Sequence, residues 1–148
     1  TLDHTQLAEL YIVRGALEGL AARLAARNAT PEEVGVLREM VEADRVLVND
    51  PQALARANRR FHRQIHLTSH NRFLIQQLDL VHRSMALLAN TSIAATGRSQ
   101  DTLTEHGAIV DAIAAGNGDA ADAAVREHIS RAFLTRLRLD AHRAEREG

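Results

Sequence analysis

The 148-residue sequence contains no cysteine, no lysine and no tryptophan. Without cysteine there is no disulfide framework, no thiolate-held zinc and no thiol nucleophile. Without lysine there is neither Schiff-base chemistry nor the lysine of a phosphate-binding loop. No run of about 20 apolar residues occurs, so no membrane-spanning helix is expected. A charged-then-apolar leader is also missing, which leads to the expectation of a cytoplasmic protein. The net charge of −1 offers no basic surface for phosphate, so this chain by itself has no electrostatic reason to bind nucleic acid. The chain starts at Thr1 without a methionine and is expected to be a piece of a longer protein.

What is present is 19 acidic residues, 18 basic residues that are all arginine, and eight histidines. The 45% hydrophobic and 25% charged shares are ordinary for a globular domain. The length suits one domain, residues 1–148, able to bury its own core. Any metal must be held by imidazole, carboxylate, amide or water, which suits divalent zinc, nickel, manganese or iron.

Ala and Leu dominate, and both prolines sit where periodic segments change over, as in an all-α domain. Thr30-Pro31-Glu32-Glu33 carries an N-cap, a proline at the first helical position and a capping-box glutamate. Asp50-Pro51 repeats the cap-then-proline device, and Ser69-His70-Asn71 is a polar joint. Thr96-Gly97-Arg98-Ser99 and Gly116-Asn117-Gly118-Asp119 are turn clusters, with Ser99 and Asp119 as the expected caps. The pattern predicts six helices over about 5–28, 31–48, 51–69, 72–94, 100–115 and 119–144. Short connections predict that sequential helices pack as antiparallel neighbours, and the tail from Asp140 to Gly148 is expected to fray.

Polar residues on apolar stripes are the informative ones, because burying them without partners is costly. On the third helix Leu54, Ala57, Phe61 and Ile65 define the stripe. Unrolled at about 100° per residue, Asn58 lies about 40° from its centre, His62 about 80° and His66 about 120°. Asn58 and His62 are four apart and converge on one face. His66 forms a rival pair with His62 but points more toward solvent. On the fifth helix His106 sits near the centre of a stripe of Leu103, Ile109, Val110 and Ile113. On the sixth, His128 falls inside the edge of a stripe of Ala121, Ala124, Val125, Ile129 and Ala132.

A single inward histidine is ordinarily a hydrogen-bonded core residue, whereas three on separate helices each need both ring nitrogens satisfied. A shared metal satisfies one nitrogen of each. His4, His70, His82 and His142 are assigned surface or structural roles. Arg14 falls in the middle of the first helix's stripe of Leu10, Leu17, Ala21 and Leu24. It is read first as the intrahelical partner of Glu18 and second as a guanidinium fork for a carboxylate ligand. Glu105-His106 and Glu127-His128 are adjacent pairs, and adjacent residues diverge by about 100°, which disfavours a ferritin-like di-iron site. Those glutamates are expected to be solvated or to support a ligand from behind. No HExxH, GxSxG or glycine-rich phosphate loop occurs.

Several segments together resemble a known family. They are Tyr11-x-x-Arg14-x-x-Leu17-Glu18, Asn58-x-x-Phe61-His62-x-x-Ile65, Ser69-His70-Asn71-x-x-Leu74, Glu105-His106-x-x-Ile109, the Gly116-to-Asp119 turn and His128. The sequence resembles FCD, the C-terminal ligand-sensing domain of FadR-type regulators in the GntR family of bacterial transcription factors. The resemblance implies a bundle of six or seven helices with an internal effector cavity. It implies one divalent ion, zinc first, held by Asn58, His62, His106 and His128, and a small carboxylate effector reaching Arg14. Asn58 stands where aspartate is more usual in the family. Arg83 and Arg98 are further candidates for the cavity lining, and His66 for the ion. A homodimer is expected, with DNA bound only through an N-terminal winged helix-turn-helix that is outside this chain. The alternatives are a mononuclear metalloenzyme acting on a small organic acid and a purely structural helical module.

Overall fold

A computed structural model describes residues 4–86 and 98–147. Among the described residues the chain forms six α-helices and no strand, the all-α class. The helices are α1 (His4–Asn28), α2 (Pro31–Asp44), α3 (Pro51–Thr68), α4 (Arg72–Met85), α5 (Arg98–Ala114) and α6 (Gly118–Glu147). A short 3-10 turn, Arg45–Leu47, replaces the expected last turn of α2. The expected end of the fourth helix and the Thr96-Gly97 half of its turn lie outside the described residues.

The caps explain most of the boundaries. Thr30 Oγ1 accepts from the Glu33 amide and the Glu33 carboxylate accepts from the Thr30 amide, while Asp50 and Asn71 accept from Ala53 and Leu74. Two caps differ from the sequence expectation. Asn117, not Asp119, caps α6 by accepting from the Ala120 amide at 3.0 Å. Asp119 instead meets Arg23 of α1 at 2.6 Å. Ser99 is already inside α5. Gly116 takes a φ of +69° to end α5, a conformation that costs glycine little. The tail does not fray at Asp140, since α6 continues to Glu147.

The packing also departs from simple antiparallel succession. The first helix lies mainly on α6 and also touches α3, α4 and α5, while α2 covers α5 and α3. Among sequential pairs, α5 and α6 are the extensive one. The core joins Ala21, Ala22 and Ala25 of α1 to Phe61, Leu78, Ile109 and Val125. Small residues on α1 allow this close approach. Of the expected stripe Ala21 is buried, whereas Leu10, Leu17 and Leu24 are only half-buried, because the alanine face is the one at the centre.

Candidate metal-binding histidine clusters

Three helices bring His62 of α3, His106 of α5 and His128 of α6 together in the interior. All three are buried, and one ring nitrogen of each lies within 4.8 Å of the others. The rings touch edge-on or stacked, with centroids 5.0 to 5.8 Å apart. His106 also stacks on Phe61 at 4.0 Å, which fixes its plane.

Two carboxylates set the tautomers. Glu18 of α1 accepts from His62 Nδ1 at 2.7 Å, and Glu105 of α5 accepts from His128 Nδ1 at 2.6 Å. Burial pushes the Glu18 carboxyl up, but the charge and hydrogen bonds of His62, with those of His66 and His82, outweigh it and hold Glu18 well below the usual range. Glu105 behaves likewise: burial is outweighed by His128 and Arg98, and its carboxyl falls to about 2. Both acids are therefore ionised, and each Nδ1 carries its proton. Burial disfavours a second proton, pushing His62 down to about 3 and lowering His128. Neutral rings protonated at Nδ1 have bare lone pairs at Nε2. The Nε2 atoms of His62 and His128 face each other at 3.1 Å. Two lone pairs at that separation repel unless a cation lies between or beside them.

His106 completes the cluster, since neither of its ring nitrogens has a hydrogen-bond partner. Burial holds its pKa well below the ordinary value, so it too is neutral. Asn58, one turn before His62, has a buried Oδ1 without a partner, and Thr102, one turn before His106, a buried unpartnered hydroxyl. Tetrahedral zinc with bonds of about 2.0–2.1 Å to imidazole places its donors about 3.3 Å apart. The three histidines and their carboxylate supports fit such an ion in donor chemistry, and the 3.1 Å between the Nε2 atoms of His62 and His128 is close to that spacing.

The remaining residues singled out by the sequence divide clearly. Arg14 is buried with Nε unpartnered, and its guanidinium lies 5.9 Å from the Tyr11 ring. It makes no ion pair with Glu18, contrary to the first reading, because both Glu18 oxygens are taken by histidines. Arg98 is buried in a two-pronged pair with Glu105, 2.7 Å on each side. Arg83 is exposed on α4. Glu105 is buried behind His128, whereas Glu127 is exposed and holds Arg131.

His66 is buried rather than solvent-facing. Its Nε2 bonds Glu18 Oε1, which also accepts from His82 Nε2 of α4 at 3.2 Å. The roles of Glu18 and His82 were not legible in the sequence. The signal for Glu18 was its position one turn beyond Arg14 on the inward face. His82 carried only its place one turn after Leu78.

Comparison with known proteins bears on what this bundle is. Residues 9–131 match the FCD domain model, and the chain belongs to the FCD domain family of GntR-type regulators. It is 31% identical over 140 residues to a putative L-lactate dehydrogenase operon regulatory protein of Escherichia coli, covering 92% of this chain and 54% of that protein. It is 30% identical over 138 residues to a probable D-xylose utilization operon transcriptional repressor of Paenarthrobacter nicotinovorans, covering 87% and 57%. The chain thus spans little more than half the length of these relatives. E. coli McbR/YncC superposes with a TM-score of 0.80 at 19% identity, over 90% of this chain and 69% of that one. Streptococcus agalactiae GntR gives 0.72 at 25% identity, over 90% and 62%. These relatives are named as an operon regulatory protein and a transcriptional repressor, and the matched family is an effector-binding FCD domain. Among the described residues no helix is long and apolar enough to cross a membrane.

Proposed function

We propose that this chain is the sensor half of a transcriptional regulator, holding one divalent ion through Asn58, His62, His106 and His128. Zinc is the first candidate, with nickel, manganese or iron as others. The observation that carries the reading is His106: a buried neutral imidazole, unpartnered at both nitrogens, turned toward two others whose Nε2 lone pairs already converge. When bound, the ion supplies a positive anchor for an anion. Arg14 supplies the protein's own contribution, a buried guanidinium with free donor capacity at Nε, suited to a small carboxylate. Glu18 and Glu105 orient His62 and His128 from behind. Operator DNA would be bound by an N-terminal domain outside this chain, in a homodimer, and effector binding would shift the equilibrium between two arrangements of the bundle.

Thermal melting with zinc and a panel of small organic acids, 2-hydroxy acids included, tests this. A ligand at one hundred times its dissociation constant stabilises by about 2.7 kcal/mol. Zinc should raise the melting temperature, and at least one acid should raise it further in the zinc-loaded protein. Arg14→Met should abolish the acid's increment and keep that of zinc. If no acid shifts the zinc-loaded protein, the carboxylate reading fails.

A further inference from the structure

A second group of potential ligands lies beside the first. Glu18, His66 and His82 each turn one donor atom inward, and these atoms lie within 4.8 Å of one another. Three helices contribute, since Glu18 is on α1, His66 on α3 and His82 on α4. Glu18 and His66 are buried, while the His82 side chain is 27% exposed and opens the group to solvent.

The charge balance here is unusual. The Glu18 carboxylate is 2% exposed, and among the described residues its hydrogen-bond partners are three imidazoles and no arginine. A carboxylate taken out of water is costly unless a cation offsets it. Both histidines crowd one oxygen, Oε1, leaving Oε2 to His62. The His66 and His82 rings meet edge-on, with centroids 5.1 Å apart. Two imidazoles and one carboxylate oxygen on a common centre, with one open side, is a donor set that first-row divalent ions accept.

We propose that Glu18, His66 and His82 form a second divalent-cation site, with Glu18 shared between it and His62 of the first. The carboxylate then binds an ion through Oε1 while Oε2 continues to orient His62. Solvent completes the coordination on the His82 side. Because one residue serves both sites, filling either changes the affinity of the other by the same factor. This site stands on its own geometry and does not require the first to be occupied.

The test is zinc titration of chelator-stripped protein against a chromophoric competitor, which counts tight equivalents. Wild type should take up two. His82→Ala is the informative variant, because His82 is partly exposed and contacts only Glu18 and His66 among the site residues; it should fold normally and retain one. His106→Ala should also retain one, and the double variant none. Two equivalents that persist in His82→Ala, or a single wild-type equivalent that survives in that variant, would overturn the proposal: the Glu18 cluster would then be a hydrogen-bonded network neutralised by a proton. A single equivalent lost in His82→Ala but kept in His106→Ala would support this site and sink the first.

Discussion

His106 is a buried polar side chain with no partner at either ring nitrogen, and such a group is destabilising by about 1–3 kcal/mol for each unmet bond. It is kept in a core position, stacked on Phe61, where leucine would fill similar space. This gives a prediction with a crossover. In chelator, His106→Leu should melt higher than wild type, by the equivalent of about 1–2 kcal/mol. In zinc the order should reverse, because wild type gains binding free energy and the variant does not. Paired melts under the two conditions check it, and an unchanged order in zinc would remove His106 from the ligand set. Arg14 and Glu18 make a complementary point. Four residues apart on one helix, they read as a pair, yet each faces a different neighbour in the bundle, because histidines of α3 and α4 reach the carboxylate first.

At the scale of elements, α1 organises the molecule. Its alanines pack at the centre, and Gly19 lets α6 approach so closely that an added Cβ would lie 2.2 Å from Asp122 Oδ1 and 2.8 Å from Arg126 Nε. Asp122 cannot retreat cheaply, because its other oxygen is held by Arg23 at 3.1 Å. Gly19→Val should therefore destabilise by about 1–3 kcal/mol through overpacking. Gly35 of α2 has nothing within 4 Å of the same position. Gly35→Ala should stabilise by about 0.5–1 kcal/mol through backbone entropy. Urea melts of both variants compare the two signs, and equal effects would mean that α1 and α6 are not in such close contact. The caps at Thr30, Asp50 and Asn71 were legible because they are local devices. Asp119 misled because a side chain on α1, 96 residues away in sequence, claimed its carboxylate.

For the whole molecule, the buried histidines set the response to acid. His62 has its pKa lowered to about 3 by burial from an ordinary 6.5, and burial lowers His106 and His128 in the same direction. The unfolded chain takes up protons below about pH 6.5 that the folded chain refuses. Stability is therefore complete above about pH 6.5 and is lost as pH falls, for His62 down toward about 3 at about 1.4 kcal/mol per pH unit, with His106 and His128 adding losses of the same sign. Glu18 and Glu105, whose pKa values are depressed, add a further loss below about pH 4.5, extending to about 2 for Glu105. Denaturant melts of metal-free protein at about pH 7.5, 6.0 and 5.0 should show a falling midpoint. A midpoint flat across that range would mean the histidines are not buried neutral.

Helical periodicity is a local property, about 100° per residue, so the sequence by itself determined that the chain is all-helical and which way Asn58, His62, His106 and His128 turn on their own helices. It could not determine which neighbour covers a given face. His66, about 120° from its stripe by the same periodicity, reads as solvent-facing, yet α3 is contacted by both α1 and α4 and that face is buried against Glu18 and His82. The partners that set the charge and tautomer of each imidazole lie far off in the chain, as His82 does at 64 residues from Glu18. Only the tertiary structure decided those pairings, because they depend on how helices cross, which no single helix encodes.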